Sequence, residues 1–219
     1  MVNQAGHILQ FMSFRVSYYL LASYSGAAIL GVYSNGISLI ESLLLISNSF
    51  AAVLYPKIAN STNIKFAQTL TLQMTKLSII ICIMALIPLL LLPSEFWVWL
   101  FGSEFKDVKQ VILLLSPGIV FYNITLIIGH YFSGTGKYKV NTYSNLIGLL
   151  ITVLLSILVI PSYGIVVAGI ISSISYLGIA LFIIIYFTRE AEIKIQQLLP
   201  TVSDFIWLKE QTKSFLITK

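Results

Sequence analysis

The chain has 219 residues, 58% of them hydrophobic and 10% charged, with a mean hydropathy of +0.92. Soluble domains carry about 25% charged residues, so this composition excludes an ordinary water-soluble globule and fits a polytopic membrane protein. The single cysteine, Cys82, excludes an intramolecular disulfide framework and a cysteine-based zinc cluster. The net charge of +5 sits mostly in short loops, where membrane topology accounts for it better than a nucleic-acid partner does.

A spanning helix needs about 20 mostly apolar residues. Six segments qualify, at about 7–25, 31–56, 72–93, 108–132, 141–160 and 163–187, followed by a tail at 188–219. In lipid, backbone groups must be satisfied within the segment, so an all-α bundle of six transmembrane helices is expected. The long continuous runs do not suit a β-barrel. The opening MVNQAGHILQF lacks a cationic n-region and a small-residue cleavage pattern, so no cleaved signal peptide is expected.

The first segment is the most polar of the six. Gln10, Ser13, Ser17 and Tyr24 form one stripe at a helical period, while Arg15 and Tyr19 point elsewhere. Such a helix needs protein or water on more than one side. The second segment lies in GVYSNGISLIESLLLISNSFAAVLYPKIAN. Ser34, Ser38, Glu41, Asn48 and Ala52 share a face that includes Leu45, and Leu39, Leu43, Ile46 and Phe50 take the other. A carboxylate at membrane depth is costly, so Glu41 is a functional-site candidate in search of a partner. Arg15 lies about 12 Å into the first helix and Glu41 about 15 Å into the second, by a rise of about 1.5 Å per residue. They fall at nearly the same level on consecutive antiparallel helices, and their pairing or shared hydration is expected.

Further along, Phe96, Trp97 and Trp99 beside charges read as an aromatic belt on a short interfacial helix. Pro88 and Pro117 are expected to kink the third and fourth helices. The fifth helix carries a second polar stripe, Asn141, Asn145, Gly148, Thr152 and Ser156, and the sixth carries Gly164, Ala168 and Ser172 at packing distance. The tail reads as amphipathic and partly interfacial, broken at Pro200. Lys57, Lys65, Lys76, Lys137, Lys139 and all five tail cations fall on one side of a six-helix chain. The other side has Lys106 and Lys109 set against three acids. Both termini are therefore expected in the cytoplasm. The sequon Asn60-Ser61-Thr62 would lie unused on that side.

No catalytic motif is present. There is no HExxH, GxGxxG, Walker or GxSxG pattern, and His7 and His130 lie near the ends of membrane segments. No enzyme, metal or cofactor is expected. The candidates for lining a substrate cavity are Arg15, Glu41, Asn48, Tyr19 and Asn145, with Tyr18 as a further hydrogen-bonding side chain.

Three stretches resemble a known family. GVYSNGISLIESLLLISNSFAAVLYPKIAN is similar to the segment of bacterial polysaccharide flippases that opens on Gly-x-Tyr and closes on Leu-Tyr-Pro-Lys. NQAGHILQFMSFRVSYYLLASYSG resembles their seventh helix, with an Arg at the place of Arg15. LFGSEF, the Gly-Lys loop at Gly136-Lys137 and IPSYG at 160–164 resemble three later family patterns. Together these cover residues 3–187. The resemblance implies the C-terminal six-helix lobe of an O-antigen-type oligosaccharide flippase, in the superfamily that also holds multidrug exporters. It implies transport of a lipid-linked oligosaccharide (a polyprenyl diphosphate sugar) across the cytoplasmic membrane for surface polysaccharides such as capsule or lipopolysaccharide. Two lobes rocking around a cavity, driven by an ion gradient or the membrane potential, are the implied mechanism. The chain matches only the second lobe, so a separate first lobe or a second copy is implied as partner, besides membrane lipid. Two other readings stay open: an inactive or scaffolding remnant, and a lobe of a multidrug or cation exporter.

Overall fold

A computed structural model describes residues 2–201 and 204, without the side chains at 2–5, 7 and 14. The chain is an all-α membrane protein with no strand among those residues. Its helices are α1 (Val2–Glu41), α2 (Leu44–Ala59), α3 (Ile64–Leu91), α4 (Ser94–Phe101), α5 (Val108–Gly134) and α6 (Tyr138–Ala191), with 3₁₀ turns at Ser103–Phe105 and Ile195–Leu198. Most of the expected tail lies outside the described residues. The part inside holds the 3₁₀ turn and leaves helical geometry at Glu192, whose φ is 56°.

Three helices are long and apolar enough to span a bilayer, and the bent α1–α2 pair makes a fourth. A straight helix the length of α6 would run about 80 Å, far beyond a hydrocarbon core of about 30 Å. The chain resolves this at Gly164, with φ 60° and ψ −135°. Glycine enters that region without the strain a Cβ would cause. The two arms of α6 fold back on each other, and Ser175 Oγ donates to the Gly148 carbonyl at 2.6 Å. Gly26 does the same in α1, with φ 84° and ψ 170°. There the Tyr18 and Tyr33 rings meet edge-on at 5.4 Å. Both turns lie at one end of the bundle, with α4. The opposite end holds the start of α1, the α2–α3 and α5–α6 connections and the end of α6.

The α1 and α6 hairpins lie side by side and run in parallel. Asn145 Nδ2 donates to the Gly6 carbonyl, Ser13 pairs with Thr152, Ser17 with Ser156, and Tyr33 with Ser172. Each pair is separated by 139 residues. The polar stripes of the first and fifth segments therefore face each other as a ladder of buried hydroxyls. Small residues elsewhere let backbones approach. A Cβ on Gly118 would sit 2.6 Å from Ser173 Cα, where α5 crosses the second arm of α6.

The core has two apolar halves. Tyr33, Ile37, Trp97, Ile112 and Ile119 fill the half near Gly26 and Gly164. Leu54, Ile127, Tyr131, Phe132 and Phe187 fill the other. Between them runs a polar layer that includes Ser47, Ser78 and Asn123, all within bonding distance of one another. The helices continue through Pro56, Pro88, Pro117 and Pro161. The break falls instead at Ser42–Leu43, between α1 and α2, where the chain bends by 42°. There Leu43, Leu45 and Ile46 bond three residues back rather than four, and Ser42 Oγ takes the Leu39 carbonyl. On α4 the two tryptophans divide: Trp97 is buried in the core, and Trp99 is exposed.

Candidate functional site

Glu41 ends α1 at the helix break, in the polar layer. Its carboxylate accepts the Tyr176 hydroxyl at 2.8 Å. No ion pair joins Arg15 and Glu41 among the described residues. The guanidinium lies instead over the rings of Tyr18, 4.9 Å from its centroid, and Phe11, at 5.6 Å. The depth argument placed the two residues at one level but could not fix the direction each faces around its helix.

Tyr176 stacks near Tyr122, with centroids 4.8 Å apart. Gln10 Nε2 donates to the Tyr122 hydroxyl. This chain of polar groups leads from Glu41 to an open cleft of about 440 Å³ between the start of α1, α2, the second half of α5 and the start of α6. Gln10 and Tyr122 are in its wall. Asn48 and Asn145 line it too, so the structure brings two of the five expected residues together there. Asn48 is exposed, whereas Asn145 is buried and spends its amide on Gly6. Arg15, Glu41 and Tyr19 do not line the cleft. Tyr19 is 72% exposed on the outer side of α1.

The rest of the cleft is made of residues outside the five candidates. His130, Tyr55, Asn141 and Ser133 contribute to it. His130 Nδ1 sits 2.8 Å from the Leu126 carbonyl. A carbonyl only accepts, so Nδ1 carries a proton in this contact. Asn141 donates to the Gly129 carbonyl and to Ser133 Oγ, which leaves its Oδ1 buried without a partner. The clue to Asn141 was its place at the head of the polar stripe; Tyr122 and Tyr176 were hidden in aliphatic runs.

Part of the polar stripe of the second segment is turned away from the packed interior, while Ser34 is half-buried and Glu41 turns in to Tyr176. Ser38, Leu45, Asn48 and Ala52 are exposed, while Ile37, Ile40, Leu44, Ser47 and Ala51 carry the packing. Among the described residues there is no group of three or more metal-ligating side chains. Near the chain ends, Glu190 fastens three elements. It accepts Tyr131 Oη at 2.7 Å and pairs with Lys137 at 2.6 Å, and its carbonyl accepts Gln68 Nε2.

Comparison with known proteins agrees with this architecture. The chain is 30% identical over 174 residues to the capsular polysaccharide biosynthesis protein CapF of Staphylococcus aureus. That alignment covers 78% of this chain and 43% of CapF, so the chain spans less than half the length of this relative. No solved structure matches. The profile described as MatE matches residues 5–158. With that match over most of its length, the chain belongs to the MatE family of membrane exporters.

Proposed function

We propose that this chain is one six-helix lobe of a flippase that carries a lipid-linked saccharide across the cell membrane for surface polysaccharide assembly. The observation that carries the reading is the outward polar face. Arg15, Tyr19, Ser38 and Asn48 are exposed on the surface of the lobe. In hydrocarbon an exposed Arg would cost about 3 kcal/mol or more. The face therefore calls for a second polar-lined body or a water-filled space beside it. A first lobe or a second copy of the chain would supply that body and close a cavity between them. Within it the Arg15 guanidinium is available to a diphosphate, which it can grip through two parallel bonds. The relation to a capsular polysaccharide biosynthesis protein supports the saccharide. With both termini in the cytoplasm, the cleft would open toward the leaflet where such a substrate is made. Rocking of two lobes would then expose it to the other side.

The test replaces Arg15 with Ala and with Lys in a polysaccharide-producing cell. Loss of surface polysaccharide in Arg15→Ala at normal membrane level, with partial recovery in Arg15→Lys, is the expected result. Unchanged polysaccharide in Arg15→Ala would remove Arg15 from the cavity.

A further inference from the structure

The cleft beside Asn48 is polar but uncharged. Amides, hydroxyls, two tyrosines and one histidine line it, and among the described residues no Lys, Arg, Asp or Glu does. We propose that this cleft seats an uncharged sugar unit, and that the charged part of a ligand stays outside it. The proposal rests on the flippase reading above and adds the chemical class that the cleft selects.

Three features carry it. First, a sugar hydroxyl both donates and accepts, and so does a primary amide. The exposed Asn48 amide has no hydrogen bond to the described residues, so both of its functions are free for a ligand. Second, two polar groups in the wall have bonding capacity left over: Asn141 Oδ1 has no donor among the described residues, and His130, bonded through Nδ1 to the Leu126 carbonyl, keeps Nε2 as its other hydrogen-bonding atom. Third, Tyr55 stands edge-on to His130 at 6.5 Å and is partly exposed. Its ring offers an apolar platform for the CH-rich face of a pyranose. The volume of about 440 Å³ falls within the ~300–1,000 Å³ of small-molecule clefts. An anionic sugar or a phosphate would lose hydration here with no cation among the described lining residues to offset the loss, and a cation would find no carboxylate among them.

The experiment uses the full chain in lipid nanodiscs and saturation-transfer NMR. The probes are a methyl hexoside, a methyl N-acetylhexosaminide and a methyl hexuronide. The neutral glycosides should receive saturation and the hexuronide should not. Asn48→Leu and His130→Phe should each weaken the neutral signal about tenfold, a hydrogen bond's worth of affinity, and their combination should abolish it. His130→Phe keeps a ring beside Tyr55, and Asn48 is exposed, so unfolding temperatures should stay at the parent value. Equal saturation of the hexuronide, a neutral signal that survives in the double variant, or no signal from any glycoside would each overturn the assignment. Silent NMR together with lost surface polysaccharide in Arg15→Ala would retire the cleft and leave the flippase reading standing. Neutral-sugar binding with normal polysaccharide in Arg15→Ala would keep the cleft and remove only Arg15 from the cavity.

Discussion

Replacing Gly118 with Ala tests a helix crossing at which the added Cβ would meet backbone of the neighbouring helix. The new methyl would lie 2.6 Å from Ser173 Cα and 2.7 Å from Ser173 Oγ. Carbon atoms settle at about 3.5–4.0 Å, so α5 and the second arm of α6 must part by roughly 1 Å. The near atom is backbone, and no rotamer change relieves it. Overpacking of this kind costs about 1–3 kcal/mol. The move also pulls Ser173 Oγ from the Leu114 carbonyl, now 2.6 Å away, and an interhelical bond in a membrane protein is worth about 0.6 kcal/mol. Against this, Ala gains about 0.5–1 kcal/mol over Gly in a helix interior. The net expectation is a loss of about 1–3 kcal/mol. Gly31→Ala is the control, since nothing lies within 4 Å of its added Cβ, and only the gain should remain. Both variants would be followed by reversible unfolding in mixed micelles with increasing SDS. If Gly118→Ala unfolds with Gly31→Ala, the reasoning about this crossing is wrong.

Three further outcomes follow from particular contacts. Thr75 is buried with no partner for its Oγ1, so Thr75→Val should raise stability by about 1 kcal/mol in the same titration; a loss of that size would mean the hydroxyl is bonded. Tyr176→Phe should destabilise by about 1 kcal/mol, because Glu41 loses its donor, while Glu41→Gln keeps an acceptor and should change little; a double-mutant cycle of Tyr176→Phe with Glu41→Ala that returns no coupling would contradict the 2.8 Å contact. Burial pushes the Asp204 carboxyl up, but hydrogen bonds from Thr201 and the Lys76 ammonium outweigh it and hold the group below the usual carboxylate range. A depressed value means that its link to Lys76, 3.1 Å long, contributes fully above the ordinary Asp value of about 3.9 and fades as pH falls through the lower folded one. Hydrogen exchange around Asp204 should therefore be constant from neutral pH down to that region once intrinsic rates are removed, and rise only below it; Asp204→Asn should show the faster exchange already at pH 7.

Much of the bundle was legible in the sequence because its signals are periodic. Ser13 and Ser17, and Asn145, Thr152 and Ser156, stand out as polar stripes at a helical spacing. That the stripes meet was not legible, since their partners lie 139 residues apart and no local pattern carries that offset. Glu41 was recognisable from its burial cost alone. Its partner was not, because depth along a helix says nothing about direction around it, and Tyr176 on a distant arm holds the carboxylate instead of Arg15. Pro88 and Pro117 lie inside α3 and α5, and the break at Ser42–Leu43 falls where neither residue is a known breaker. His130 looked like an end-of-helix residue; only the fold brings it opposite Asn48.

The turns at Gly26 and Gly164 leave almost no linker between their arms. Two rods joined by a single residue cannot slide past one another or swing apart by much. Each hairpin must travel as one stiff piece, and the hydroxyl ladder ties the two pieces together. Compliance is left to Ser42–Leu43, where hydrogen bonds are already respaced. A peptide tag spliced in at residue 26 or 164 should wreck the protein, whereas cross-linking α2 to α5 should arrest movement without unfolding it. In mechanical terms the lobe is a rigid frame with one elbow, and Glu41 sits at the elbow.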